Sequence, residues 1–295
     1  MTAFQRVAVP VALLLAAGRP SEASALERTI RVEPGVDIHV IDSGPSDGGP
    51  ALVLIPGWRM TAGVWKGQID AFSKARRVVA IDPRSQGDST KVAEGITPEQ
   101  RAQDLDAVLK ALGLTSVVLV GWSQGVQDVA AYVQAFGTAS VKGAVLVDTA
   151  VSAGAGGITT DAAAAANQLR MLSIYCRAPK AYSEGMMRAI IKRPIAEAEL
   201  ARLVSDSLKT PTAIGAAMLV ADLFGVDRTP ALAKLNRPTL VIAAATSDGL
   251  DAQRAMVGRL PQGRIEVIAE AGHAVFIDQP RRFNAILQAF LDGLS

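Results

Sequence analysis

A serine hydroxyl is a poor nucleophile at neutral pH and needs a base within hydrogen-bond reach, with a third group to orient that base. Ser123 has the setting for such chemistry. It lies in Gly121-Trp122-Ser123-Gln124-Gly125, a Gly-x-Ser-x-Gly pattern entered directly from the apolar run Val117 to Val120 and followed from Val126 to Phe136 by apolar residues at helical spacing. A strand, a sharp turn and a helix in that order present the serine on a strained elbow, with glycines where neighbouring backbones must pass closely. The chain holds two histidines. His39 falls mid-strand in Ile38-His39-Val40 near the start of the chain and reads as structural. His273, in Ala271-Gly272-His273 just after an apolar run from Ile265 to Ile268, is the expected base.

Two aspartates end strand-like runs on the same side and are candidates to accept the His273 ring N–H. Asp148 follows Val147, and Asp248 follows the run Leu240 to Ala245. Asp248 is preferred because the order Ser, Asp, His then follows the chain. Asp148 stays as the alternative acid, and Asp251 is a weaker candidate. An oxyanion formed on the substrate needs preorganised donors. The backbone N–H of Gln124, directly after the nucleophile, is one. The other is expected from Trp58, in the loop Pro56-Gly57-Trp58. Asp82, ahead of Pro83-Arg84-Ser85-Gln86-Gly87, reads as the anchor of a turn held by side-chain hydrogen bonds.

These residues require a frame. Ile30 to Val32 and Val36 to Ile41 flank Glu33-Pro34-Gly35, which is hairpin chemistry. Ala51 to Ile55 is apolar at every position, as expected of a strand covered on both faces. Val78 to Ile81, Val117 to Val120, Ala144 to Val147, Leu240 to Ala244 and Ile265 to Ile268 complete eight strands, with helical segments between most of them. One helix carries its own start signal, since Thr97 caps it, Pro98 fits its first turn and Gln100 completes a capping box. Gly113 ends it. The alternation predicts an α/β fold with an eight-stranded, mainly parallel, doubly wound sheet, whose ligands bind beyond the carboxyl ends of the strands.

About ninety residues without a strand signal separate the sixth and seventh strands, too many for an ordinary connection. Helical runs at Asp161 to Ile174, Tyr182 to Ile191, Glu197 to Leu208 and Pro211 to Phe224 predict a helical cap over residues 151–235, inserted into a core of residues 26–150 and 236–295. Met171, Met186, Met187 and Met218 fit its core or an adaptable pocket.

Bulk properties narrow the function. The 295 residues are 49% hydrophobic, with a formal net charge of +2 and no dense basic run, so nucleic acid is not an expected partner. One cysteine, Cys176, and two histidines cannot assemble a Cys/His metal cluster, and no metal or cofactor is called for. Arg6, the apolar stretch Val7 to Ala17 and Ala23-Ser24-Ala25 have the layout of a secretory signal cleaved after Ala25, which predicts a secreted or periplasmic protein with no stable membrane span after cleavage. Oligomeric state is not legible.

Ile55-Pro56-Gly57-Trp58, Asp82 through Ser89, the Ser123 elbow, and Gly272-His273 through Asp278-Gln279-Pro280-Arg281-Arg282-Phe283 together resemble the α/β-hydrolase-fold serine hydrolases, in the branch of esterases, lactonases and cofactor-free haloperoxidase-like enzymes. The resemblance spans Ala51 to the C-terminus. It departs from the family at Pro56, usually histidine, at Ser85, usually glycine, and at Ala245, commonly glycine. The resemblance implies a carboxylic ester hydrolase acting on a small ester, lactone or related acyl compound. A perhydrolase or haloperoxidase-like activity on the same residues, or a hydrolase fold retained for ligand binding, are the alternatives.

Overall fold

The computed structural model describes residues 26–47, 49–158 and 162–294. The expected signal segment and the residues before its cleavage site lie outside them. Strand β1 (Leu26–Glu33) pairs antiparallel with β2 (Val36–Ser43) through a two-residue turn, Pro34-Gly35, with Gly35 at φ +82°. There follow β3 (Ala51–Ile55), α1 (Lys66–Phe72), β4 (Val78–Ile81), α2 (Pro98–Ala111), β5 (Val117–Trp122), α3 (Gln124–Phe136) and β6 (Val141–Val147). Six helices then intervene: α4 (Ala155–Ile158), α5 (Ala162–Arg177), α6 (Pro179–Ile190), α7 (Glu197–Leu208), α8 (Thr212–Phe224) and α9 (Ala231–Lys234). The core resumes with β7 (Thr239–Ala244), α10 (Leu250–Val257), β8 (Gly263–Ile268), α11 (Val275–Asp278) and α12 (Pro280–Asp292).

The eight strands form one sheet in the order β1-β2-β4-β3-β5-β6-β7-β8, antiparallel at β1/β2 and β2/β4 and parallel elsewhere. The expected fold class is the observed one. Every residue of β3 and β5 is buried, because alternate side chains feed separate apolar layers. Leu52, Leu54, Val118 and Val120 face a layer with Trp65, Phe276, Phe283 and Leu287. Val53, Ile55, Val117 and Leu119 face Leu105 and Val108 of α2 and Val126 and Val129 of α3.

Thr97 caps α2 by accepting the Gln100 N–H at 3.2 Å, but the expected capping box is half made, since the Gln100 amide donates to Asp104 at 3.4 Å instead. Gly113, at φ +66°, follows the last turn as foreseen. The turn after β4 is held as expected too. The Asp82 carboxylate accepts the N–H groups of Ala62 and Asp88, at 2.5 and 2.7 Å, and pairs with His39. Met187 and Met218 are core residues, each fully buried. No helix among the described residues is long and apolar enough to cross a membrane.

Buried charge fastens the inserted helices to the core. Arg101 on α2, fully buried, donates to Asp128 on α3 at 2.9 Å and to Asp222 on α8 at 3.2 Å. Arg228 donates through Nε to Glu99 at 2.7 Å and through Nη1 to the Asp222 carbonyl at 3.3 Å. Two carboxylates sharing one buried guanidinium are costly to keep ionised. Burial pushes Asp128 up to about 7, against the opposing pull of Arg101, and burial raises Asp222 as well.

The linkage has a definite sign. Between the ordinary carboxylate range, near 4, and about 7, the folded protein holds a proton at Asp128 that the unfolded chain has released. This contribution to stability is therefore complete at low pH and is lost as pH rises through the folded value. Wild type should lose stability relative to Asp128→Asn as pH is raised from 5 to 8, read as the difference in urea midpoints. Parallel pH profiles would exclude Asp128 as the source.

Candidate active site

The elbow is built by backbone crowding. A Cβ on Gly121 would lie 2.3 Å from the Gly125 carbonyl oxygen, and one on Gly125 would lie 2.5 Å from that of Ile55. Only glycine fits where α3 crosses the ends of β3 and β5 this closely. Ser123 takes φ +54°, ψ −119°, sparsely populated for a residue with a Cβ, and its N–H is held by the Val147 carbonyl at 3.1 Å. It stands half-buried, directly ahead of α3, whose first-turn N–H groups have no partner within the helix.

His273 is placed by the loop between β8 and α11. Its carbonyl accepts the Trp122 indole N–H at 2.9 Å, tying it to the residue before Ser123. Gly272 N–H is fixed by the Asp278 carboxylate at 2.7 Å. The imidazole Nδ1 meets the carboxylate of Asp148 at 2.8 Å. Asp148 is buried, at φ +50°, and its other oxygen accepts the Ala244 N–H at 2.8 Å. That carboxylate thus joins the ends of β6 and β7 as well as orienting the imidazole.

Asp248, the preferred candidate for this contact, is not brought to His273; Asp148, the alternative, is. Asp248 lies in the exposed turn before α10, four residues beyond the end of β7, and the chain there has already left the sheet. Asp148 is the first residue after β6, the strand lying between β5, which leads into Ser123, and β7. Asp251 is also at the surface, against Arg254. His39 is committed elsewhere: its Nδ1 is 2.9 Å from Asp82, which holds the imidazole above its ordinary range. Among the described residues, His39, Asp82 and Asp88 bring potential metal ligands together, but Asp82 is engaged by backbone N–H groups and Asp88 by Lys209.

A small open cleft lies at Ser123. Trp58 and Gln124 line it from the core with Thr149 and Ser152, and Leu219, Asp222 and Leu223 of α8 close the other side. The Gly57 backbone comes so near that a Cβ there would be 3.0 Å from the Ser123 Cβ. Both residues expected to donate to an oxyanion therefore border the serine.

Two residues at this site went unread in the sequence. Arg59, fully buried at φ +58°, stacks its guanidinium 4.1 Å from the Trp58 ring centre and 4.2 Å from that of Tyr175, and donates to Ser183 Oγ at 3.0 Å. No carboxylate among the described residues pairs with it, and burial lowers its pKa. Asp222 accepts the Gln124 side-chain amide on one oxygen and Arg101 on the other. A signal for Asp222 existed, since it is the only charged residue in the apolar helix α8. For Arg59 the pattern offered none.

The chain matches proteins of related build. Over 119 residues, 40% of this chain and 43% of the relative, it is 38% identical to the bifunctional esterase/perhydrolase DCH of Acinetobacter calcoaceticus. Over 105 residues, 35% of this chain and 37% of the relative, it is 36% identical to a non-heme chloroperoxidase of Burkholderia pyrrocinia. The chain thus aligns with less than half the length of these two curated relatives. An esterase from Exiguobacterium antarcticum superposes with a TM-score of 0.81 over 90% of this chain and all of that one, at 21% identity, which speaks for the fold. Residues 52–286, from the first central strand into the last helix, match the alpha/beta hydrolase family, and the chain belongs to that family.

Proposed function

We propose that the protein is an exported serine hydrolase that cleaves small esters, lactones or related acyl compounds through an acyl-enzyme on Ser123. The observation that carries this reading is the 2.8 Å contact between His273 Nδ1 and the buried Asp148, in a loop tied through the Trp122 indole to the residue before a serine held at positive φ. Asp148 fixes the imidazole so that Nε2 is the free basic nitrogen. His273 takes the Ser123 proton as Oγ attacks the acyl carbon, then returns it to the leaving alkoxide. The Trp58 and Gln124 backbone N–H groups stabilise the oxyanion, each worth about 10²–10³ in rate. Water, deprotonated by His273, releases the acid. The cleft's mixture of Leu219, Leu223 and Trp58 with Thr149 and Ser152 suits a short acyl group with some polarity.

Relatives described as an esterase/perhydrolase and a chloroperoxidase support a second reading on the same residues. Hydrogen peroxide in place of water would attack the acyl-enzyme, giving a peracid and restoring Ser123. Peracid formation from a short carboxylate and peroxide separates this from simple hydrolysis, and absence of any turnover would leave ligand binding.

Purified wild type should react with a fluorophosphonate at Ser123 and hydrolyse short aryl esters; Ser123→Ala should abolish both, and His273→Ala should reduce both severely. Full activity in Ser123→Ala would overturn the proposal. Asp148→Asn should lower kcat by about 10⁴, the precedent for an orienting aspartate, whereas Asp248→Asn should retain most activity; the opposite ranking would return the acid to Asp248. Export predicts a mature N-terminus at Leu26, read by N-terminal sequencing of periplasmic or medium fractions, and intact Met1 on a cytoplasmic protein would refute it.

A further inference from the structure

We propose that helix α8 is a strut that sets the spacing of the oxyanion hole, so that docking of the inserted helices assembles the catalytic site as well as covering it. This rests on the serine-hydrolase reading above. The two residues whose backbone N–H groups serve the oxyanion come from distant parts of the chain, one in the loop after β3 and one at the start of α3. Their side chains reach the same helix. Trp58 Nε1 donates to the Gly215 carbonyl at 2.8 Å, and the Gln124 amide donates to the Asp222 carboxylate. Gly215 and Asp222 lie seven residues apart on α8, about two turns, so one rigid element fixes both side chains.

The attachment is tight at each end. At Gly215 a Cβ would lie 2.6 Å from the Tyr175 hydroxyl and 2.8 Å from Arg59 Cδ, so α8 sits as close to the oxyanion loop as backbone permits. Arg59, next to Trp58, is held against α5 and α6 through Tyr175 and Ser183, which prevents the loop from rotating about the Trp58 contact. At the other end Arg101 fixes Asp222 from below. An oxyanion donor acts only when it is preorganised within a few tenths of an ångström, so a support lost on either side should appear in the transition state and not in substrate binding. Trp58, through its indole, and Asp222 are on this view positioning residues.

The test uses the full-length mature protein. Trp58→Phe keeps an aromatic ring without the donor, and Asp222→Ala removes the acceptor of Gln124. Each should lower kcat for a short aryl ester by about 10- to 100-fold, a part of the loss from deleting a donor outright, with KM within about threefold of wild type. Inhibition by a phenylboronic acid, which adds to the serine and puts an oxygen in the hole, should weaken in proportion to kcat/KM. Asp222→Asn, which still offers Gln124 an oxygen, should recover most of the kcat lost in Asp222→Ala. Gly215→Ala, pushing α8 outward, should lower kcat in the same manner. Trp58→Phe leaves Asp222 and Arg101 in place and keeps a ring beneath Arg59, so it decides the matter even where Asp222→Ala does not fold. Wild-type kcat and boronate affinity in Trp58→Phe, or a loss confined to KM, would overturn the strut. Its failure is distinguishable from failure of the hydrolase reading, because the latter would show in wild type as turnover independent of Ser123.

Discussion

The approach of α3 to the strand ends is the constraint on which this site depends. At Gly121 and Gly125 the backbones of β5, α3 and β3 come within distances that no Cβ tolerates. Packing of Val126 and Val129 against Ile55 and Leu119 draws the helix down onto the sheet, and the turn between strand and helix has to absorb the geometry. Ser123 absorbs it as a positive φ. The strain is sustained because burial of two apolar layers outweighs the cost of order 1–3 kcal/mol for one such residue. Asp148 and Arg59 are strained in the same sense and stand at the same end of the sheet. Three non-glycine residues at positive φ around one cleft mark where stability has been given up for placement.

Much of this was legible because the signals were local. Strands covered on both faces are apolar runs, and the Thr97-Pro98 start of α2 is written in four residues. Ser123 and His273, the proposed nucleophile and base, came from motif and strand-end position. The carboxylate that meets His273 did not, and the reason is specific: Asp148 and Asp248 both lie between Ser123 and His273 in the chain, so chain order could not rank them. What separates them is how far each sits past its strand. One residue past β6 is still within reach of the next strand's backbone, whereas four residues past β7 is solvent. A rule of distance from the last strand residue would have picked the carboxylate that meets His273.

Ser85 gives the same lesson from the other side. It occupies a position where glycine is usual in the family and keeps the conformation glycine would have supplied, φ +65°, because its hydroxyl donates to the Val92 carbonyl at 2.6 Å. A departure from pattern was compensated by one hydrogen bond. The roles of Arg59 and Asp222 were hidden for a different reason, even though Asp222 stood out as the one charge of α8. Their meaning comes from partners about a hundred residues or more away in the chain, Ser183 for the one and Gln124 and Arg101 for the other, and no periodicity records such a meeting. Each buried polar group also limits what its neighbours can be, since a guanidinium or carboxylate left unpaired in such a place costs several kcal/mol.

The position of the insertion has a consequence for how the chain assembles this site. Ser123 and Asp148 belong to a run of sheet complete by β6, but His273 arrives only after β7 and β8 have joined it. From residue 148 to residue 238, 238 − 147 = 91 residues must be closed before β7 can lie beside β6. For a flexible segment, closing that length costs about 2 kcal/mol more in chain entropy than closing ten residues. Every helix that condenses within the segment shortens what remains to be closed. The excursion is thus also a folded spacer, and its collapse lowers the entropic barrier to bringing His273 to Ser123 and Asp148.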